Sequence, residues 1–280
     1  MKITNKAGLP EPFVKASESD YKPTPGRYSV TTLLKPVREI ILSRRHSEEM
    51  EADASDMIWA LFGTAVHKVL EENGGDVAEQ RIEVPVGDFT VSGIIDYQDG
   101  DTVIDYKTCS VWKFRMGDVE DWRKQLSMYG WLLEQQGKHV DKGKIIAILR
   151  DHRKGEARRD PNYPNQVEVV EFQFPDYTET QEFIYNKLAE IHLYDKVPDD
   201  ELPVCTAEER WARDGGYAVM KKGRKSALRV LKTEEEAQAW KETNGGDFIE
   251  VREPFNTKCE EYCNCAEWCS FYRRLKEKTE

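Results

Sequence analysis

Hydrophobic and polar positions divide the chain into a series of short elements. Residues 89–97 and 102–107 are rich in Val, Ile and Tyr and flank an Asp99-Gly100 turn, which predicts a β-hairpin. Upstream, Ile58, Leu61, Phe62, Ala65, Val66, Val69 and Leu70 recur at helical spacing. That helix is capped by Ser55 or Asp56 and stopped by Asn73-Gly74-Gly75. Residues 77–86 read as a strand entering the hairpin, and a helix over about 119–136 carries Trp122, Leu126, Tyr129 and Leu133 on one stripe. Strands at 144–150 and 166–174 and an amphipathic helix at 178–194 follow. Near the start, the run from Ser29 predicts a helix capped at Thr31 or Thr32 with Pro36 in its opening turns.

The pattern changes after residue 204. Strands at 217–220 and 227–231, a helix at 233–243 with a Thr233/Glu236 capping box, and a strand at 248–252 predict a small β-β-α-β module. The expected organisation is a Pro-rich, charged N-terminal arm over 1–28, a core over 29–204, the module over 205–258 and a cysteine-rich segment over 259–280. The fold class is α/β, a mixed sheet flanked by helices.

Composition narrows the class. With 280 residues the chain can bury a full core, and seven Trp with twelve Tyr argue against disorder despite 33% charged residues. No apolar run approaches the roughly 18 residues of a membrane span. The opening MKITNKAGLPEPF lacks the apolar core of a signal peptide, so no membrane association and a cytoplasmic location are expected. A net charge of −11 disfavours polyanion binding on average. Local basic clusters at Arg150, Arg153 and Lys154 and at Lys221, Lys222, Arg224 and Lys225 still permit it.

The hairpin carries Asp96, Asp105 and Lys107 among apolar neighbours. Asp105 and Lys107 share one face of their strand, and Asp96 can approach Asp105 across the turn. Two carboxylates in an apolar sheet repel unless a cation joins them. Mg²⁺ or Mn²⁺ suits such oxygens, the Tyr106 backbone carbonyl adds another, and His67, one turn after Gly63, adds a nitrogen Mn²⁺ accepts. Gln125 and Tyr129, four residues apart, project from one face of the following helix.

The order His67, Gly93-Ile94-Ile95-Asp96, Asp105-Tyr106-Lys107 and Gln125-Leu126-Ser127-Met128-Tyr129 resembles the PD-(D/E)XK nucleases, and within them the RecB-like branch that includes CRISPR adaptation nucleases. The resemblance implies a restriction-endonuclease-like core. It gives His67, Asp96 and Asp105 to the metal and makes Lys107 the catalytic lysine. Gln125 and Tyr129 support the site and contact DNA. Asp105 stands where this branch more often has Glu. The implied activity is a Mg²⁺- or Mn²⁺-dependent deoxyribonuclease, an exonuclease of the stand-alone kind that phages encode, located in the host cytoplasm if so. It would act in replication, recombination or repair on single-stranded DNA or free ends, with protein partners in those processes. A CRISPR-associated end-processing protein, or a zinc-stabilised nucleic-acid-binding module without catalysis, fits the same residues.

Four cysteines crowd into 259–269, with Cys205 upstream and Cys109 apart, an unlikely disulfide framework for an intracellular chain. Cys205, Cys259, Cys263 and Cys269 resemble the iron–sulfur ligands of the RecB-like branch, which implies a 4Fe-4S cluster. The spacing departs from that pattern, and Cys205 follows the core rather than preceding it. Zinc suits four thiolates equally, and a set including Cys265 is an alternative. The basic tip 221–225 and the wall from Arg150 are the expected DNA contacts.

Overall fold

The computed structural model describes residues 1–18, 24–75, 78–117, 119–174 and 176–279. Val77 at the start of the expected strand, residues 19–23 of the expected arm, Asp118 and Glu280 lie outside these. The chain divides into two compact units, Met1–Val197 and Pro198–Glu280.

The first unit runs β1 (Lys2–Thr4), α1 (Glu11–Ser17), β2 (Arg27–Ser29), α2 (Val30–Leu33), α3 (Val37–Arg45), β3 (Glu51–Asp53), α4 (Ile58–Glu72), β4 (Ala78–Val86), β5 (Phe89–Asp99), β6 (Thr102–Cys109), α5 (Val111–Arg115), α6 (Glu120–Gln135), β7 (Lys142–Leu149), α7 (Lys154–Ala157), β8 (Val167–Gln173) and α8 (Thr178–Tyr194). The helix expected from Ser29 is two helices. Pro36 caps α3, because proline bars the preceding residue from helical geometry and cannot donate to a continuing helix. Before α4, Asp53 rather than Ser55 or Asp56 caps the entry, as its carboxylate accepts from Ser55 N in a 3-10 turn.

The central sheet is mixed, ordered β2-β5-β6-β7-β8 with β4 also on β5. β6 and β7 are parallel, and α6 makes the crossover such a connection requires. β4 fills one edge of β5 along nearly its whole length. On the other edge β2 pairs with Thr90–Ser92 and β6 with Tyr97–Asp99. Gly93–Asp96 pair with neither, so the sheet is split there.

The core lies between the sheet and helices α3, α6 and α8, around Ile41, Leu42, Leu126, Trp131, Leu132 and Ile184, all fully buried. Asp105 meets Gln125 of α6, whereas Thr108 faces Gly63 of α4, so these helices cover opposite faces of β6. The α4 stripe is only partly covered. Leu61, Val66 and Leu70 are half-buried, while Ile58, Phe62, Ala65 and Val69 are exposed.

The second unit contains β9 (Ala212–Arg213), β10 (Gly216–Met220), β11 (Arg229–Leu231), α9 (Glu234–Asn244), β12 (Phe248–Arg252), β13 (Phe255–Asn256), α10 (Thr257–Glu261) and α11 (Ser270–Thr279). β11-β10-β12 form an antiparallel sheet, and Thr233 caps α9 by accepting from Glu236 N. No helix among the described residues is long and apolar enough to cross a membrane.

Candidate active site

The split in the sheet is where the sequence-selected side chains gather. With no ladder partner on that edge, Asp96 turns its carboxylate to β6, where Oδ2 accepts from Tyr106 N at 2.8 Å. His67 of α4 reaches the same point. Its Nε2 lies 2.9 Å from the Tyr106 carbonyl oxygen, and its Nδ1 is 3.2 Å from Asp96 Oδ1. The Asp96 hydrogen bond, more than any other contact, raises the His67 pKa.

Gln125 organises the other half. Its Oε1 accepts from Lys107 Nζ at 2.9 Å, and its Nε2 donates to Asp105 Oδ1 at 3.2 Å and to Tyr129 Oη at 2.9 Å. Every polar position of this amide except one acceptor lone pair is therefore committed, which fixes its orientation. Gln125 and Tyr129 are themselves buried behind Asp105 and Lys107. Gly93 makes room for them, since a Cβ there would lie 2.8 Å from Tyr129 Cε1. The glycine of G-x-x-D is thus required by the tyrosine of Q-x-x-x-Y.

Asp105 is 2% exposed, and burial pushes its pKa up to about 6, with the Asp96 charge adding to the shift and Lys107 opposing it. Lys107 Nζ stands 2.8 Å from Asp105 Oδ2. That contact is an ion pair without hydrogen-bond alignment, and Oδ2 makes no hydrogen bond. A buried carboxylate oxygen with an unused lone pair, beside a second carboxylate and an imidazole, fits a divalent cation.

The sequence reading missed Glu79. Its carboxylate forms a set with His67 and Asp96 whose ligand atoms all lie within 4.8 Å of one another. Glu79 adopts φ 51°, a left-handed bend within β4, and burial raises its pKa. In sequence it was simply a polar position in the strand that enters the hairpin. These groups line a cleft of about 680 Å³ that is also lined by Arg27, Ser29, Lys35 and Arg81.

The basic residues lie elsewhere. Arg150 follows β7, Arg153 caps α7, which begins at Lys154, and all three are exposed. Lys221, Lys222, Arg224 and Lys225 are exposed on the turn between β10 and β11 of the second unit. That unit also holds five cysteines, and among the described residues no disulfide joins any. Burial, followed by Glu209 and the thiols of Cys269, Cys259 and Cys263, pushes Cys205 up to about 12. Burial and the thiols of Cys263 and Cys269 push Cys259 up to about 11. The thiols of Cys259, Cys263 and Cys269 therefore lie near Cys205. Cys265, the extra one, lies 3.5 Å from Cys263, sulfur to sulfur.

This arrangement defines a carboxylate-and-lysine site at a split in a mixed sheet. The profile of the PD-(D/E)XK nuclease superfamily matches residues 21–270, and the chain belongs to that superfamily. It is accordingly a nuclease, of a family that uses divalent metals. No curated protein matches the chain. Among solved structures, SSO0001 is 19% identical, covering 63% of this chain and 83% of its own at a TM-score of 0.45. The alkaline exonuclease LHK-Exo from Laribacter hongkongensis is 14% identical, covering 61% of this chain and 92% of its own at 0.35. A phage-related exonuclease from Haemophilus somnus 129PT is 13% identical, covering 48% of this chain and 68% of its own at 0.32.

Proposed function

We propose that the protein is a Mg²⁺- or Mn²⁺-dependent deoxyribonuclease that degrades DNA from free ends. The observation that carries this reading is the shared network in which Gln125 holds Asp105 and Lys107 together while His67 and Asp96 meet at the Tyr106 peptide, His67 at its carbonyl and Asp96 at its N–H. His67, Asp96, Asp105 and the Tyr106 carbonyl hold the cation, and Glu79, whose carboxylate lies within 4.8 Å of the ligand atoms of His67 and Asp96, is a further ligand. A divalent cation supplies positive charge that acidifies water and stabilises the phosphodiester as it is attacked. Lys107, fixed between Gln125 and Asp105, orients the attacking water by donating to it and balances the charge that develops. Gln125 and Tyr129 are positioning residues that keep the lysine and the aspartate in register.

Exposed Arg150, Arg153 and Lys154, and the tip carrying Lys221, Lys222, Arg224 and Lys225, take the phosphate backbone of DNA. Cys205, Cys259, Cys263 and Cys269 hold a 4Fe-4S cluster. This assignment rests on the resemblance of the cysteine order to that of the RecB-like branch, and zinc on the same four thiolates is the rival. Visible absorbance with iron and sulfide analysis separates this from zinc.

The test of function is cleavage of end-labelled linear DNA and of closed circular DNA with Mg²⁺ or Mn²⁺. Wild type degrades the linear substrate and spares the circle. Asp105→Ala and Lys107→Ala lose about 10²–10⁴-fold in rate. Equal activity in all three proteins removes the catalytic assignment, and degradation of the circle removes the dependence on ends.

A further inference from the structure

The exposed side of α4 is unusually apolar for a surface helix. Trp59 is 55% exposed, Ile58 and Phe62 beside it are exposed, and Trp112 of α5 is 65% exposed. Ile58, Trp59 and Phe62 adjoin on one helix, and an exposed apolar group of this kind calls for an occupant. The Arg150 guanidinium lies 4.2 Å from the centre of the Trp59 ring. No carboxylate among the described residues pairs with Arg150, so its charge is available to an anion.

These groups are tied to the strand that carries the site. Arg150 N donates to the Cys109 carbonyl at the end of β6. Ser110, next in the chain, caps α5 by accepting from Lys113 N and so sets the helix turn bearing Trp112. Trp59, Gly63 and His67 follow one another at i, i+4 and i+8, one stripe of α4. That places Trp59 about 12 Å along the helix axis from His67. Arg153, Lys154, Arg158 and Arg159 add exposed positive charge on the loop after β7.

We propose that Trp59, Trp112 and Arg150 form a base-stacking platform that holds unpaired DNA beside the cleavage site. The proposal rests on the nuclease reading and adds a strand preference to it. Aromatic faces with an adjacent guanidinium bind bases whose π-faces are free, and cationic neighbours track the phosphates. Paired bases offer no such face, so the platform discriminates in favour of single strands.

Fluorescence anisotropy of a labelled short oligothymidylate, in EDTA to prevent cleavage, tests this against a blunt duplex of the same length. Trp59→Ala and Trp112→Ala are each expected to weaken oligothymidylate binding about tenfold and to leave duplex affinity where it was. Trp59→Phe retains most of the affinity. Arg150→Ala weakens both ligands and flattens the salt dependence by about one phosphate contact. Unchanged oligothymidylate affinity in both tryptophan variants overturns the platform, as does an equal loss on the duplex. A change of oligomeric state in Trp59→Ala, seen by light scattering, also overturns it and assigns the face to a second copy of the chain. Wild-type cleavage of DNA with Mn²⁺ is measured separately, so the platform can fail while the nuclease reading stands.

Discussion

The molecule contains two candidate ion sites built on opposite principles. In the carboxylate site, long elements fix the ligands before any ion arrives. α4 and α6 span Ile58–Glu72 and Glu120–Gln135, β5 spans Phe89–Asp99, and hydrogen bonds from Tyr106 N and Gln125 hold Asp96 and Asp105. In the thiol site, Cys259 lies on the five-residue α10, and Cys263, Cys265 and Cys269 lie in turns around a three-residue 3-10 segment. Helices that short are not stable alone. The first site is preorganised by its scaffold. In the second, the proposed cluster would complete the scaffold.

The sharpest way to break that contrast is to remove ligands from the thiol site. Cys259→Ser with Cys263→Ser should abolish iron binding. The cost to the second unit is several kcal/mol, because binding energy at a structural metal site is folding energy. Hydrogen exchange should show lost protection in α10 and α11 and retained protection in α6. Protection that survives in α10 and α11 would mean the thiols are ordinary core residues and the contrast is false.

The converse test is at Gly93, where the carboxylate site depends on packing alone. Gly93→Ala places a methyl against the Tyr129 ring at 2.8 Å, and overpacking of this kind costs about 1–3 kcal/mol. A lower thermal midpoint and slower cleavage are expected, although no reacting group has been removed. If both stay at wild-type values, the scaffold is softer than the contacts indicate.

How much was legible follows the same division. Asp96, Asp105 and Lys107 were noticed as charges inside β-strands, whereas Gln125 was singled out only by its place in the order of motifs that resembles the nuclease family. The hairpin carrying the three charges was also marked by the Asp99-Gly100 turn. Glu79 was invisible, because its role depends on a left-handed backbone bend that a strand pattern does not announce. The exposure of Ile58, Phe62 and Val69 was hidden too, since helical periodicity reports an apolar face and not whether anything covers it. Pro36 was a signal in plain view. Read as the cap of a second helix, it gives the break before α3.

Glu79 provides a smaller and more local test. Glu79→Gln keeps the shape and removes the charge. We expect Mn²⁺ affinity, measured by calorimetry, to fall about tenfold with little change in thermal midpoint. Unaltered affinity would confine the cation to Asp96, Asp105 and His67.

The smallest effect expected is a pH dependence that runs against the usual behaviour of carboxylates. Burial holds the Asp105 pKa at about 6, above the ordinary 3.8, so between those values the folded protein keeps a proton that the unfolded chain has lost. Stability from this group therefore falls as pH rises through that window, and the full cost of the buried charge is present above it. His67, with its pKa raised chiefly by Asp96, acts in the same direction, contributing stability at low pH that is lost as pH rises through its folded value. Carboxylates with lowered values, such as Glu51 and Asp101, lose their contribution only at more acidic pH. Metal-free protein should thus melt at a slightly higher temperature near pH 5.5 than near about pH 7.5. Mn²⁺ displaces those same protons, so its affinity should rise over the same interval. Asp105→Asn should flatten much of the stability trend. A trend that persists unchanged in that variant would locate the linkage in exposed groups such as His139, and would show that the buried carboxylate is not what the cation relieves.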